Sequence, residues 1–272
     1  MNIAPAVAKP PRSWLRRFLV REDAVYDQYE SAFQAKTTFA KVLYLFLYLF
    51  PGIAAFVCIN IGPIFRAQMS LTGLSARYVQ YVWVLLITFG WHMFVPLLGL
   101  KFGDHLSFRE VFAFLGLNRV DWRGLLLVLP IYFGFFALVS LPYVKFVAPV
   151  IEGWTKSVPI FQIPSYSIFQ DTPENMYSFP PLALLFLGVG NYLGEELNFR
   201  GHLMKKSAFL GNLNWVANSV LFALYHLWQV QQTWPMIGLV LAFGLLMALR
   251  KDLYVLIAFH FLVNMWLTFA PG

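Results

Sequence analysis

Three short motifs towards the C-terminal end of the chain carry side chains that could hydrolyse a peptide bond. They read Glu195-Glu196-Leu197-Asn198-Phe199-Arg200, Phe222-Ala223-Leu224-Tyr225-His226 and His260-Phe261-Leu262-Val263-Asn264. A carboxylate and an imidazole can together take a proton from water and so produce a nucleophile. An imidazole and a carboxamide can donate hydrogen bonds to the oxyanion that forms when water attacks a peptide carbonyl. These residue types therefore permit hydrolysis without a covalent intermediate.

The first motif places its two glutamates on different sides of a helix. Glu196 comes four residues before Arg200, which is the favourable order for an ion pair along one face. Glu195 points about 100° away from Glu196, so it is freer to face a central cavity. We expect the Glu196–Arg200 pair to support Glu195, because two buried carboxylates without a cation would repel each other.

The other two motifs each place an imidazole on a helix beside a second useful side chain. His260 and Asn264 are one turn apart, so both can address one point. Phe222 lies one turn before His226 and can pack against its imidazole, which would fix the rotamer of the ring. The three motifs could meet at one depth in a membrane if their helices tilt by ordinary amounts.

Other chemical schemes have weaker support in the sequence. No aspartate lies in a long apolar segment, no His-Glu-x-x-His motif is present, and Ser140 lacks a Gly-x-Ser-x-Gly context. A zinc site made by Glu195, His226 and His260 is less favoured but stays open, and no other metal or cofactor is expected. A purely structural buried ion network with core histidines also stays open.

The elements that must position these motifs are apolar helices. Of the 272 residues, 59% are hydrophobic and only 12% are charged. That is about half the charge of a soluble domain. A bilayer-spanning helix needs about 20 apolar residues. The stretches that are poor in charge predict an all-α, polytopic membrane protein with about seven spans: 42–62, 79–99, 124–144, 180–204, 213–229, 235–249 and 253–269. The three motifs fall in the last four of them.

Lysine and arginine are distributed unequally between the two sides of this topology. Sixteen of the 20 lie in the N-terminal tail and in the connections on the same side. By the positive-inside rule the N-terminus is cytoplasmic, in a multi-pass protein of the cell membrane. We divide the chain into a basic cytoplasmic tail, 1–40, and a membrane domain, 41–272. Helical spacing of apolar residues predicts surface helices in the tail, around Trp14 to Leu19, and at 107–118.

The three motifs, in this order and each on its own late hydrophobic helix, resemble those of the CAAX protease and bacteriocin-processing family, also called CPBP or Abi. The resemblance covers roughly residues 107–268, and every motif position follows the family pattern. It implies an intramembrane glutamate protease similar to the type II CAAX prenyl endopeptidases. By this resemblance, Glu195 and His226 would activate the water. His260 and Asn264 would form the oxyanion hole, and Glu196 and Arg200 would support Glu195.

The leading hypothesis is therefore an endopeptidase that cleaves a peptide bond near the cytoplasmic face of the membrane. Its partners would be the lipid bilayer and a peptide or protein substrate, lipid-modified substrates included, with no role for nucleic acid. The alternative is a non-proteolytic interaction or bacteriocin-immunity protein of the same fold. A proton-coupled transporter has weaker support, because the sequence lacks symmetric, broken hydrophobic segments.

Overall fold

The computed structural model describes residues 13–162 and 180–269, and these two ranges are helical without a β-strand. The expected all-α class is confirmed. We number the helices in chain order: α1 (Trp14–Leu19), α2 (Ala24–Phe33), α3 (Thr38–Asn60), α4 (Gly62–Thr72), α5 (Ala76–Gly103), α6 (Phe108–Leu115), α7 (Gly124–Ser157), α8 (181–206), α9 (Asn214–Tyr225), α10 (Leu241–Arg250) and α11 (Leu253–Phe269).

Within the described residues, three helices are long and apolar enough to cross a membrane, namely α3, α5 and α7. The segments Ala208–Met236 and Leu241–Arg250 would together count as a fourth, but they meet at an angle of 87°. The seven predicted spans are therefore not confirmed. One reason is geometric, because the two predicted spans 213–229 and 235–249 form a bent hairpin. Its helices α9 and α10 have only 12 and 10 residues. In addition, the apolar part of α11, Leu253–Leu267, is shorter than the helices that qualify by length.

The tip of this hairpin, residues 226–240, is built from short 3₁₀ and α-helical pieces followed by a turn. We call this segment the hairpin tip. The polar residues and the proline between Gln229 and Pro235 interrupt the helix in this segment. The sequence predicts the break between two spans at the same place. The tip packs against the end of the first membrane helix, where the Asn60 amide donates a hydrogen bond to the Trp228 carbonyl at 3.2 Å.

The two segments predicted to be surface helices, around Trp14 to Leu19 and at 107–118, are both helical, but only the second is packed into the core. The side chains of Trp14 and Leu15 in α1 are 71% and 56% exposed. Helix α6 begins with a capping box between Ser107 and Glu110. Its residues Val111, Phe114 and Leu115 are fully buried in a cluster with the end of α5 and the start of α11. Helix α6 therefore contributes to the core as well as to the surface.

Several helix ends meet in a network of ion pairs that we call the basic-face cluster, made of Arg21, Asp23, Arg119, Asp121, Arg250 and Asp252. Its aspartates also cap helices. The Asp23 carboxylate accepts hydrogen bonds from the first turn of α2, and the Asp252 carboxylate accepts one from Val255 in α11. The described part of the predicted tail is thus docked on the membrane domain.

Close packing against α5 fixes the position of α8, the helix that carries the two motif glutamates. A Cβ atom at Gly194 would lie 2.6 Å from the Thr88 carbonyl oxygen, and one at Gly190 would lie 2.6 Å from the Phe89 amide nitrogen. Both glycines lie one turn apart on the same face of α8. This small-residue pair lets the backbones of α5 and α8 approach closely, as is common between membrane helices.

Candidate active site

The second glutamate of the first motif links α8 to α11. Glu196 Oε1 lies 3.2 Å from Arg200 Nη1 and accepts a hydrogen bond from His260 Nδ1 at 2.9 Å. All three side chains are buried, and Glu196 and Arg200 are fully inaccessible. Because a carboxylate only accepts hydrogen bonds, His260 Nδ1 carries a proton. The Nε2 atom of His260 is thereby directed at Glu195, whose Oε2 lies 4.0 Å away.

Glu195 lies between the two motif histidines. Its Oε1 is 4.0 Å from His226 Nε2, and its Oε2 is 4.0 Å from His260 Nε2. These separations are too long for direct hydrogen bonds but short enough for one small molecule to contact both partners. The Tyr225 hydroxyl approaches Glu195 Oε1 at 3.5 Å. Glu195 therefore has imidazole and phenol groups at 3.5–4.0 Å, whereas Glu196 contacts both Arg200 and His260 directly.

The His226 ring is held from behind by its own helix. Its Nδ1 lies 2.9 Å from the carbonyl oxygen of Phe222, which can only accept. Nδ1 therefore donates, and the lone pair of Nε2 in the neutral ring points towards Glu195. The Phe222 ring packs edge-on against the imidazole with a centroid distance of 4.8 Å. Phe222 thus contributes its carbonyl as well as its ring.

Aromatic rings also surround the buried arginine. The Arg200 guanidinium carbon lies 4.0 Å from the centroid of Phe222 and 5.2 Å from that of Phe243. A desolvated cation is stabilised by the negative faces of such rings. Together with Glu196, these contacts make Arg200 a fixed positive charge behind the two glutamates.

Five of the seven predicted site residues line one cavity of about 240 Å³. The cavity contains a carboxylate, two imidazoles and several amide side chains on an otherwise apolar wall. Its lining residues are Asn191, Glu195, Phe222, His226, Gln229, Gln232, Thr233, Met236, Leu239, Val240, Phe243, His260, Val263, Asn264 and Leu267. The structure therefore brings Glu195, His226, His260, Asn264 and Phe222 together, while Glu196 and Arg200 lie behind the cavity wall.

A metal centre was the open alternative for these side chains. In residues 13–162 and 180–269, no three His, Cys, Asp or Glu side chains form a group suited to hold a metal ion.

Sequence reasoning missed two features of this site. Tyr225 is fully buried and its hydroxyl contacts Glu195, although only its neighbours Phe222 and His226 were singled out. Its position next to His226 in the motif was the available signal. The contact between Glu196 and His260 was also missed, because spacing along one helix cannot show which distant helix a side chain meets.

Comparison with known proteins bears on the same segment. Residues 177–266 match the family model described as type II CAAX prenyl endopeptidase Rce1-like. The resemblance is confirmed over that segment. The matched residues include all three motifs, so this segment of the chain is similar to that of CAAX-type proteases. No curated protein and no solved structure gave a match.

Proposed function

We propose that the protein is an intramembrane endopeptidase in which Glu195 and His226 activate a water molecule. The observation that carries the proposal is the position of Glu195, with one oxygen 4.0 Å from each histidine Nε2 at the wall of a cavity. A water molecule between Glu195 and His226 could contact both, with its oxygen directed into the cavity. Such a pair can remove a proton from water in an otherwise dry place.

The reaction then needs no covalent enzyme intermediate. The water oxygen forms a bond to the carbonyl carbon of the substrate, and its proton moves to the Glu195–His226 pair. The carbonyl oxygen becomes an oxyanion that His260 and Asn264 stabilise by hydrogen bonds. When the carbon–nitrogen bond breaks, the same pair returns the proton to the leaving amine. The products are a carboxylic acid and an amine, and the site regains its starting state.

The remaining motif residues act by position and charge. Donation from His260 Nε2 requires a proton on both ring nitrogens, and the Glu196 carboxylate at 2.9 Å would balance the positive charge of that ring. Arg200 in turn balances Glu196. We propose that this chain of contacts fixes the oxyanion hole, and that the water is activated without metal.

The proposed setting is a cell membrane, with the N-terminus and the basic-face cluster on the cytoplasmic side. The excess of lysine and arginine on that side supports this orientation. The substrate would be a peptide or protein, and lipid-modified substrates are included. Side chains exposed on the long helices, such as Phe135 at 67% and Leu138 at 66%, provide an apolar surface for lipid.

The test is cleavage of a peptide library by purified protein in detergent. The Glu195→Gln and His226→Ala variants should each lose at least about 10²-fold in activity, because general-base catalysis contributes that much. Glu152→Gln is the matched control, since the Glu152 side chain in α7 is 43% exposed and pairs with Lys156, away from the cavity. Full activity of both site variants would refute the proposal.

Two further measurements separate the alternatives. Activity that survives a strong chelator supports the metal-free mechanism, and activity that is lost and then restored by zinc supports the metal site instead. Rescue of a cellular phenotype by the Glu195→Gln protein would favour the non-proteolytic interaction or immunity function.

A further inference from the structure

Two amide side chains of the cavity wall have no place in the proposed reaction. Asn191 lies four residues before Glu195 in α8, and Gln229 lies three residues after His226 in the hairpin tip. Each member of the proposed water-activating pair therefore has an amide beside it in the cavity wall. Asn264 has a role in the proposed oxyanion hole, whereas these two amides have none.

Gln229 stands at a break in the local backbone. Its φ of −138° and ψ of 45° lie outside the helical region, between the short 3₁₀ helix His226–Gln229 and the short helix Val230–Thr233. Gln229 lines the cavity, whereas Gln231, two residues further along, does not. The hairpin tip therefore offers one glutamine on the cavity wall and a neighbouring glutamine off it.

Asn191 is held in place by the close contact between α5 and α8. It directly follows Gly190, and Gly194 lies three residues after it. Cβ atoms at these two glycines would lie 2.6 Å from backbone atoms of Phe89 and Thr88. Because the two backbones touch here, this part of α8 cannot turn about its axis without moving α5. The Asn191 side chain is thus presented to the cavity from a rigid element, as a precise binding group requires.

Both amide groups are available to a ligand. The side chains of Asn191 and Gln229 are half-buried, and within residues 13–162 and 180–269 neither amide makes a hydrogen bond to another described residue. Each carries a carbonyl oxygen that accepts hydrogen bonds and an NH₂ group that donates two. A ligand in the cavity can therefore bond to them without breaking an interaction inside the protein.

Much of the rest of the cavity wall is apolar. Its apolar side chains include Met236, Leu239, Val240, Val263 and Leu267. A peptide that enters such a place loses the water bonded to its main chain, and a buried N–H or C=O group without a partner is costly. A substrate segment therefore needs both donors and acceptors close to the scissile bond, and an amide side chain supplies both.

We propose that Asn191 and Gln229 bind the main chain of the substrate next to the scissile bond. This inference rests on the proposed protease function. The bound segment is extended, because a helix uses its N–H and C=O groups internally and would offer none to the two amides. Contacts with the main chain are the same for every sequence, so the two amides position the peptide whichever side chains it carries.

The first test replaces each amide by an apolar side chain of similar size. Asn191→Leu and Gln229→Met should each lower kcat/KM at least about tenfold, because a main-chain group of the substrate loses its partner. The factor should be the same for library peptides of unrelated sequence, and the temperature of thermal unfolding should not fall. Gln231→Met is the matched control and should leave kcat/KM unchanged, since Gln231 does not line the cavity.

Ester analogues of a cleaved peptide identify the group that each amide contacts. An ester in place of one peptide bond removes its N–H donor and weakens its carbonyl acceptor. At the contacted position the ester should lower kcat/KM of the parent protein about tenfold and have little further effect in the matching variant. Equal ester effects in the parent and both variants at every position within two residues of the scissile bond would overturn the inference. A loss limited to peptides with one kind of polar side chain would also overturn it.

A binding measurement separates this inference from the proposed protease function. Fluorescence anisotropy of a labelled pool of the library peptides compares the Glu195→Gln protein with the Glu195→Gln/Gln229→Met protein, and the Kd should rise at least about tenfold. If the parent cleaves no peptide, the protease is refuted, and weaker binding by the double variant leaves the inference standing. In that case equal or undetectable binding would overturn the inference too. Cleavage by the parent with unchanged kcat/KM in both amide variants would refute main-chain binding and leave the protease standing.

Discussion

The basic-face cluster and the active site both bury carboxylates near cations, but they distribute the charges differently. In the cluster, Asp23, Asp121 and Asp252 each contact an arginine and also accept backbone hydrogen bonds. In the active site, Arg200 contacts Glu196, while Glu195 has histidine nitrogens at 4.0 Å and a tyrosine hydroxyl at 3.5 Å. The cluster satisfies its acids, whereas the active site leaves one acid turned to a cavity.

This difference indicates what each network contributes. Satisfied buried ion pairs that also cap helices fix the positions of helix ends. A carboxylate held near, but not against, its partners can exchange protons with a third molecule. We therefore expect changes in the cluster to affect stability and changes around Glu195 to affect the reaction.

The largest effect is expected for the Glu196–Arg200 pair, because it is a buried ion pair and also supports the active site. Arg200→Met removes the cation beside Glu196 in a fully buried place, and loss of one partner of a buried pair costs about 3–5 kcal/mol. We expect a large loss of thermal stability in detergent, measured by tryptophan fluorescence. The Glu196→Gln/Arg200→Met double variant removes both charges and should regain much of that stability. Activity should stay low in both proteins. In Arg200→Met the carboxylate beside His260 loses its counter-charge, and in the double variant His260 loses the carboxylate itself.

A double variant as unstable as Arg200→Met alone would show that the charge imbalance is not the cause. In that case the packing of the guanidinium against Phe222 and Phe243 would be the main contribution of Arg200.

The next effect concerns the cluster. Asp121→Asn removes the ionic contact with Arg250, but Arg250 keeps hydrogen bonds to the carbonyl oxygens of Phe18 and Leu19 at 3.2 and 3.1 Å. Because these partners remain, the free energy of unfolding should fall by only about 1–3 kcal/mol. Cleavage per folded molecule should not change. A loss of turnover without a loss of stability would mean that the cluster acts on the reaction directly.

A smaller effect is expected for Tyr225→Phe, which removes the hydroxyl that approaches Glu195 at 3.5 Å. One long hydrogen bond contributes about 1 kcal/mol, so kcat should fall about fivefold with little change in stability. Tyr254→Phe is the control, because Tyr254 donates to the Leu117 carbonyl at 2.8 Å and does not line the cavity. Equal losses of activity in the two variants would remove any specific role for Tyr225.

The motifs allowed much of the site to be predicted, because each one places its residues along a single helix. The faces of Glu195 and Glu196 and the proximity of Phe222 to His226 follow from helical spacing alone. The contact of Glu196 with His260 did not follow, since it depends on how α8 and α11 pack.

The membrane spans show the same limit at a larger scale. Hydrophobicity identified α3, α5 and α7, whose length and composition suffice. It could not show that α9 and α10 form a hairpin with an 87° bend, because both segments are apolar and poor in charge. The polar residues at the break were visible in the sequence, but their place in the cavity wall becomes apparent only from the fold.

The smallest expected effect is the pH dependence of the cluster. Burial raises the pKa of Asp23, but hydrogen bonds from Tyr26 and Arg119 and the charges of Arg119 and Arg21 outweigh it and hold the pKa below its usual value of 3.8. The stability that Asp23 contributes is therefore present above the unfolded pKa and is lost as the pH falls through the folded pKa. Asp23→Asn should lower stability at pH 7 and lose less stability than the parent protein on acidification. Thermal unfolding at pH 7 and near pH 3 measures both.

Asp252 is the opposite case within the same cluster. Its burial outweighs the hydrogen bonds from Val255 and Asp121 and the charge of Arg21, so its pKa is raised from the usual value of 3.8. The contribution of this carboxyl to stability therefore decreases as the pH rises from the unfolded pKa through the folded one. Asp252→Asn should make the parent's loss of stability on acidification steeper, where Asp23→Asn makes it shallower. The same slope in both variants would show that the cluster titrates as one unit rather than as separate aspartates.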